Sequence, residues 1–317
     1  MNTCFIGIDT SNYTTSLAAC DGEGRVFANI RFPLPVAAGE RGLRQSDAVF
    51  AHVKNLPLAM QQLSDAIRGR QILAVGVSES PRRCAGSYMP CFLSGVAAAQ
   101  SFAAPIGVPV YCFAHQEGHI MAALYSAGKT DLANREFLAF HVSGGTTEVL
   151  RVAPAETGFS VSVIGGSLDL HAGQAIDRIG VMMGLKFPCG KEMEKLAATY
   201  TGKIPSARVS VKGTECHLSG LENLAAKLWK ESNDAAFVSA FVLDFLAKTL
   251  EKMTEGADEG SPFLPVVYAG GVMSNAFLQA RLGKRKEAFF AAPEFSADNA
   301  AGIALLCRKA CMKDGLI

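Results

Sequence analysis

The chain has 317 residues, and 30 lysines and arginines nearly balance 29 aspartates and glutamates, which leaves a formal net charge of +1 at pH 7. This length favours two domains, each with its own core. The balanced charge argues against a protein that holds nucleic acid mainly by a basic surface, and it leaves open RNA delivered by a partner.

Three features of the sequence concern its compartment. The first residues, MNTCFIGIDT, lack a basic leader followed by a long apolar core, so we expect no signal peptide. No uninterrupted apolar run of about 18 residues is present, which predicts no contact with a membrane. Nine scattered cysteines without a CxxC pair indicate reduced thiols. We therefore predict a cytoplasmic protein.

The chain opens with an apolar strand at 4–10, followed by a polar turn and a second strand within 11–28. The same pattern returns at 137–143 and 144–166, and both turns carry a Thr-Thr pair. An internal duplication of a β-rich α/β unit is the simplest account. Paired hairpins of this kind bind phosphate in actin, Hsp70 and sugar kinases, because small turn residues let N–H and hydroxyl groups approach the oxygens. Ordinary tight hairpins are the alternative.

Between the hairpins, residues 43–57 read as a helix with Phe50, Val53 and Leu56 on one apolar face. His52 lies off that face, and we expect it to be a structural or partner-facing residue. The following loop, SPRRCAGSYMP, carries two arginines, for which a phosphate or RNA contact and a solvated position both stay open.

The stretch AHQEGHI places His115 and His119 four residues apart, on one face of a helix. The pair indicates either a metal site or two surface or capping histidines. The metalloprotease signature needs a glutamate directly after its first histidine, where Gln116 stands here, and Glu117 faces elsewhere on the helix. The spacing therefore keeps a metal site open and argues against a protease.

The last third of the chain adds a helical pair at about 221–253 and then a strand, a Gly-Gly turn at 270–271 and a helix beginning near Ser274. Such a turn accepts an adenosine, with Asn275 as a hydrogen-bonding partner of the ribose or base. Asp298 precedes a small-residue helix, either as its N-cap or as a carboxylate ligand that completes a metal site with two histidines.

At this point the sequence resembles the tRNA threonylcarbamoyladenosine transferase family, formerly called O-sialoglycoprotein endopeptidase or glycoprotease. The resemblance covers nearly the whole chain in colinear order. The matching blocks are GIDTS (7–11), HQEGH (115–119), VSGGTTE (142–148), GGSLDLHAGQAIDRIGVMMGLKFPCG (165–190), LSGL (218–221), AGGVMSN (269–275) and DNAAGIA (298–304).

The resemblance implies one divalent metal, iron or zinc, on His115, His119 and Asp298. It also implies ATP or an acyl-adenylate as ligand, and transfer of a threonylcarbamoyl group from threonylcarbamoyl-AMP to a tRNA adenosine. No side chain is required as nucleophile, so we assign no catalytic residue. Substrate and nucleotide contacts are expected at His141, Val142, Ser143, Gly144, Gly145, Asp177, Gly190, Gly270, Gly271 and Asn275, and at Asp9, Ser11 and Thr14 in the phosphate hairpin.

The sequence departs from the family pattern mainly at acidic positions. The first hairpin usually reads Ser-Cys-Asp-Glu-Thr, and here Tyr13 and Thr14 replace the two acids. Leu170 and Gln174 stand where the family has an aspartate and a glutamate. The losses indicate a divergent paralogue with an altered rate or acceptor. A non-catalytic nucleotide-binding scaffold that pairs with such an enzyme is the alternative, ahead of a metal-dependent glycoprotease.

The expected architecture is an α/β fold of two lobes, duplicated in the manner of actin, Hsp70 and sugar kinases (ribonuclease H-like), with a nucleotide cleft. Lobe I is predicted to span 1–112 plus the last helix, 299–317, and lobe II to span 113–298. The family usually works in complexes. We therefore expect a protein partner or a homodimer, tRNA brought in through partner proteins, and a partner-facing helix near 43–62.

Overall fold

The computed structural model of the protein describes residues 2–35, 43–259, 263–295 and 300–315, and every structural statement below concerns these residues. Within them, the first sheet has the strand order β3-β2-β1-β4-β5. Strands β1 and β2 and strands β2 and β3 pair antiparallel, whereas β4 runs parallel to both β1 and β5. The strands are β1 (Thr3–Ser11), β2 (Thr14–Asp21), β3 (Val26–Pro33), β4 (Gln71–Ser80) and β5 (Val110–Ala114).

The second sheet has the order β12-β11-β6-β7-β8-β10-β9. Strand β6 pairs antiparallel with β7 and parallel with β11, and β11 is also parallel to β12. The strands are β6 (Phe137–Val142), β7 (Thr147–Pro154), β8 (Phe159–Ser167), β9 (Ser210–Lys212), β10 (Glu215–His217), β11 (Val266–Ala269) and β12 (Ala288–Phe290).

The two sheets repeat one plan. The order β3-β2-β1-β4-β5 of the first sheet matches β8-β7-β6-β11-β12 of the second, position by position. In each, an antiparallel hairpin is followed by a crossover to a strand that is parallel to the first strand of that hairpin. The duplication predicted from the two Thr-Thr hairpins is therefore confirmed, and β9 and β10 extend the second copy at its edge.

The helices are α1 (Gln45–Ala66), α2 (Cys91–Ile106), α3 (His115–Ser126), α4 (Ala172–Met182), α5 (Gly190–Thr199), α6 (Ser219–Ser232), α7 (Ala235–Asp258), α8 (Ala276–Leu282) and α9 (Ala301–Lys313). The predicted helical pair at 221–253 is present as α6 and α7. None of the helices in the described ranges is long and apolar enough to cross a membrane.

The chain divides into two compact units, each built on its own core. Unit 1 comprises Met1–Asn134, Ala153–Val161 and Glu294–Ile317, and unit 2 comprises Arg135–Val152 and Ser162–Pro293. The lobe boundaries predicted from the sequence remain predictions.

Helix α9 lies in unit 1, where it packs against glycine residues of β4 and α3. A Cβ atom on Gly76 would lie 2.7 Å from the Cβ of Cys307, and one on Gly118 would lie 2.8 Å from Ile303 Cδ1. A Cβ atom on Gly302 would collide with the carbonyl oxygen of Gly118. Glycine at these positions lets α9 approach both β4 and α3, because any side chain there would force the elements apart.

The helix predicted over 43–57 is present as part of α1, and its apolar side chains do not all enter the core. Phe50 and Val53 are 65% and 57% exposed, whereas His52 is completely buried together with Leu56. The reason is a long-range partner, since His52 Nδ1 lies 2.8 Å from the Thr15 hydroxyl of the first hairpin. This hydrogen bond satisfies Nδ1 and favours a position of His52 in the core, although no described group pairs with its buried Nε2. His52 is thus structural and not partner-facing.

Candidate functional site

The two histidines predicted as metal ligands begin helix α3, directly after the last strand of the first sheet. His115 is the first helical residue and His119 lies one turn later. Their Nε2 atoms are 2.9 Å apart, and the ring centroids are separated by 4.3 Å in an edge-to-face arrangement. The spacing of four therefore brings two imidazole nitrogens to one point, as the sequence predicted.

The opposite edge of the His115 ring faces a buried carboxylate. His115 Nδ1 lies 3.1 Å from Asp9 Oδ1 and 3.0 Å from Asp9 Oδ2. Asp9 has no solvent exposure, and the Ser78 hydroxyl also donates a hydrogen bond to its Oδ1. Asp9, which the resemblance assigned to a phosphate hairpin, thus contacts helix α3.

Glu117 fixes the start of the same helix. Its two carboxylate oxygens accept the backbone N–H groups of Ala114 and Phe159, both at 2.7 Å, and Glu117 is completely buried. Arg83 is a third partner of this carboxylate, with its guanidinium 3.1 Å from Glu117 Oε2. Glu117 faces away from the histidine pair, as predicted. Arg83 is exposed, as in the solvated alternative, and it also pairs with the buried carboxylate of Glu117.

The third predicted ligand, Asp298, lies outside the described residues. The chain is described again from Ala300, and the backbone of Gly7 in β1 is close to Ala300 and Ala304 at the start of α9. Within the described ranges, no three His, Cys, Asp or Glu side chains are grouped so that they could hold a metal ion. Asp9 is not a third ligand of the Nε2 pair, since it contacts the far nitrogen of His115.

The residues that are described fit a divalent metal of the zinc or iron type. Imidazole nitrogens are among the preferred ligands of both ions. At metal–nitrogen distances of about 2.0–2.1 Å, two ligands of a tetrahedral site are about 3.3 Å apart. The 2.9 Å separation of the two Nε2 atoms therefore needs only a small opening to accept an ion. A carboxylate on the outer nitrogen is the usual support of a metal-binding histidine.

The hairpin that joins β1 and β2 carries the remaining predicted residues of unit 1. Ser11 ends β1 and Thr14 begins β2, and both are buried. Tyr13, which replaces an acidic residue of the family pattern, lies at the turn and is 46% exposed. The acidic position at the tip is thus exchanged for an aromatic ring that faces solvent.

In unit 2, the two predicted glycine turns lie side by side at the carboxyl ends of parallel strands. Ala269 of β11 pairs with His141 of β6, so the chain enters both turns at the same edge of the sheet. Gly270 has φ +100°, and a Cβ atom there would collide with the carbonyl oxygen of Val142. Glycine is therefore required at 270 for the fold itself.

The other turn glycines serve no such packing role. Among the described residues, no atom would lie within 4 Å of a Cβ atom on Gly144, Gly145 or Gly271, and the same holds for Gly190 at the start of α5. Ser143, which precedes the first two, accepts the N–H of Gly173 at 3.2 Å and so connects this turn to the start of α4. The carboxyl edge of an α/β sheet is the usual place for a ligand, and open glycines there leave room for it.

Asp177 and Asn275 both have structural partners. Asp177 Oδ1 accepts the N–H of Cys189 at 2.8 Å, which ties α4 to the residue before Gly190. Asn275 Oδ1 accepts the N–H of Leu278 at 3.1 Å and caps α8. Cys189 is buried, and burial, reinforced by the charge of Asp177, raises the pKa of its thiol. Their roles in substrate binding remain predictions.

Two of the replaced acidic positions have become structural. Leu170 is buried in the core of unit 2. Gln174 Oε1 accepts the N–H of His171 at 3.2 Å, at the start of α4.

Asp169, the acidic residue that precedes Leu170, caps α6 instead of facing a ligand. Burial acts to raise its pKa, but hydrogen bonds from the Ser219 hydroxyl and from the N–H groups of Leu218, Leu170 and Ser219 hold that pKa well below its usual range.

Sequence reasoning missed the partners of this site. Neither the Asp9–His115 contact nor the Glu117–Phe159 bond was predicted, because their members are 106 and 42 residues apart. The acidic residue in an otherwise apolar first strand was the one available signal, since a carboxylate in a buried strand needs a polar partner.

Solved structures with the same fold define the class of protein. The (R)-2-hydroxyglutaryl-CoA dehydratase component A of Acidaminococcus fermentans has a TM-score of 0.53 at 16% identity, over 98% of this chain and 99% of that one. HypF from T. kodakarensis reaches 0.60 at 12% identity, over 99% of this chain and 48% of that chain. A ROK family glucokinase from Streptomyces griseus, in complex with glucose and AMPPNP, reaches 0.51 at 12% identity, over 96% and 99%.

These likenesses show the fold alone, and they confirm the predicted actin/Hsp70/sugar-kinase-like α/β class. The family is shown by a second comparison. The model of the family described as TsaD, tRNA N6-adenosine threonylcarbamoyltransferase, matches residues 37–305. The chain belongs to this family, which consists of acyl transferases that act on tRNA. The resemblance drawn from the sequence motifs is therefore confirmed.

Proposed function

We propose that this protein transfers a threonylcarbamoyl group from threonylcarbamoyl-AMP to an adenosine of tRNA, with one iron or zinc ion and an adenine nucleotide as cofactors. The observation that carries the proposal is the pair of glycine turns at adjacent strand ends of unit 2. At Gly144, Gly145 and Gly271 an added Cβ atom would meet no atom of the described residues within 4 Å, so there is space beside these turns. An adenylate bound there would receive backbone N–H groups without a steric barrier.

The reaction requires no nucleophilic side chain from the enzyme. The attacking atom is the amino nitrogen of the tRNA adenosine, the bond that breaks joins the carbamoyl carbon to the phosphate oxygen of AMP, and AMP leaves with the electron pair. The proton of the attacking amine must leave to a base or to solvent. The enzyme contributes orientation and stabilisation of developing negative charge by fixed N–H donors.

His115, His119 and Asp298 would hold the metal. When bound, such an ion supplies a Lewis acid that polarises a carbonyl or phosphoryl oxygen. The metal role is supported by the convergence of two imidazole nitrogens, by the carboxylate behind one of them and by the donor chemistry of the set.

A second candidate function is a nucleotide-binding scaffold that pairs with a catalytic relative. It is favoured by the fate of the replaced acidic positions, since Leu170 has entered the core and Gln174 caps a helix. The two candidates share nucleotide binding and differ in transfer, so a transfer assay separates them.

Nucleotide binding is tested by filling the open space. Gly145→Val and Gly271→Val are expected to weaken binding of a non-hydrolysable ATP analogue at least tenfold, about 1.4 kcal/mol, without changing the thermal unfolding midpoint. Gly220→Val in α6 is the matched control, because its Cβ atom also meets no protein atom within 4 Å but lies outside the predicted site. Equal affinity in all four proteins would refute nucleotide binding at these turns.

We also propose that α1 contacts a protein partner. Phe50 and Val53 are exposed on this helix, and Phe50 lines a groove of about 460 Å³ between α1 and the end of β3. Exposed apolar side chains along one helix face are typical of an interface. The partner would be another protein or a second copy of this chain, and it would also be the route by which tRNA reaches a protein of balanced charge. We further propose that the protein works in the cytoplasm.

A further inference from the structure

The outer contact of His115 points to a role for Asp9 that differs from phosphate binding. A carboxylate only accepts hydrogen bonds, so it does not bind a phosphate oxygen directly. Asp9 is also completely buried, with Ser78 and His115 as its partners. Its environment therefore fits a carboxylate that holds another protein group.

The position of Asp9 is fixed by the sheet. Strand β1 runs parallel to β4, and Ile8 pairs with Val77, so Asp9 and Ser78 follow each other in register on adjacent central strands. The Ser78 hydroxyl donates to Asp9 Oδ1, which orients the carboxylate plane. Because Asp9 lies on one strand and is hydrogen-bonded by Ser78 on the adjacent strand, its carboxylate has little freedom to move. It therefore offers His115 a rigid hydrogen-bond acceptor.

We infer that Asp9 is the positioning residue that holds His115 as a metal ligand. By accepting a hydrogen bond from Nδ1–H, Asp9 selects the tautomer in which Nε2 carries the lone pair, and it sets the angle of the ring. Nε2 is the atom that faces His119, at 2.9 Å. Ligating histidines usually donate their second nitrogen to such a carboxylate, and loss of that partner lowers metal affinity about 10- to 100-fold.

This inference rests on the metal role proposed above for the histidine pair, and its test separates the two. The probe is Co²⁺ alone, titrated into the metal-free full-length protein and followed by visible absorption. We expect His115→Ala to abolish the site, Asp9→Ala to weaken it about 10- to 100-fold, and Asp9→Asn to weaken it less, because the amide oxygen can still accept a hydrogen bond.

Asp244→Asn is the matched control. Asp244 is also a buried carboxylate, but it pairs with Arg281 and Lys248 in unit 2. Its replacement should lower stability and leave the affinity for Co²⁺ unchanged. Equal losses of affinity in the Asp9 and Asp244 variants would show a merely structural effect and overturn the inference.

A second measurement uses no metal at all. In metal-free protein labelled with ¹⁵N-histidine, NMR should show the Nδ1–H tautomer of His115, and Asp9→Ala should lose or mix it. An unchanged tautomer together with unchanged Co²⁺ affinity overturns the inference. If the wild type binds no Co²⁺, or His115→Ala binds as tightly as the wild type, the metal role itself is refuted. In that case, comparison of the His115 tautomer in the wild type and in Asp9→Ala alone decides whether Asp9 orients the ring.

Discussion

Replacement of Glu117 by glutamine should lower the free energy of unfolding by about 1–4 kcal/mol. Glu117 Oε1 accepts the N–H of Phe159, and Oε2 accepts the N–H of Ala114. Glutamine keeps one acceptor and presents an NH₂ group to the other donor. One buried N–H group therefore loses its partner, which costs about 1–3 kcal/mol. Loss of the half-exposed pair with Arg83 adds about 0–1 kcal/mol.

The assay is urea unfolding followed by circular dichroism at 222 nm, with the midpoint and slope fitted together. Arg83→Ala should cost at most about 1 kcal/mol, because its ion pair is half-exposed and its hydrogen bond to the Cys112 carbonyl is long, at 3.4 Å. Glu192→Gln is a matched control, because this glutamate is exposed and its carboxylate accepts the Lys186 N–H at 3.3 Å, and the variant should stay within about 0.5 kcal/mol of the wild type. A Glu117→Gln protein as stable as the wild type would refute the reasoning that this carboxylate organises the start of α3.

Three further changes test the fold and the proposed interface. Burial lowers the pKa of His52 in the folded protein, against the opposing effects of Ser11 and Asp9. The unfolded chain therefore binds this proton at a higher pH than the folded protein does, and stability should fall as the pH drops below about 6.5. In urea unfolding from pH 7.5 to 5.5, His52→Gln should lose less stability than the wild type. Gly302→Ala should cost about 1–3 kcal/mol, because its Cβ atom would collide with the Gly118 carbonyl, whereas Gly220→Ala should be neutral or stabilising. Phe50→Glu should leave the unfolding midpoint unchanged and shift any complex toward the monomer in size-exclusion chromatography; intact complexes would count against α1 as the interface.

The sequence predicted local patterns well where one residue type determined the structure. The two Thr-Thr hairpins gave the duplication, because a small polar turn between apolar strands has few alternative folds. The spacing of His115 and His119 gave their convergence, because helical geometry alone places residues four apart on one face. The Gly270 turn followed from the same kind of local reasoning.

Predictions stayed open or were absent where a distant partner decided the outcome. The sequence left His52 as either structural or partner-facing, and its burial depends on the Thr15 hydroxyl of another element. The contact of Asp169 with the start of a helix that begins 50 residues later was not predicted either. In both cases the residue's own sequence context is compatible with several environments, and only the tertiary fold supplies the partner.

The transfer reaction tests the central claim most directly. Purified wild-type protein, supplied with iron or zinc, threonylcarbamoyl-AMP and tRNA, is compared with His115→Ala, and nucleosides from the digested tRNA are measured by mass spectrometry. The account predicts threonylcarbamoyladenosine from the wild type and at least a tenfold loss in the variant. A folded, metal-loaded wild type that binds the ATP analogue and modifies no tRNA would contradict the transferase function and favour the scaffold.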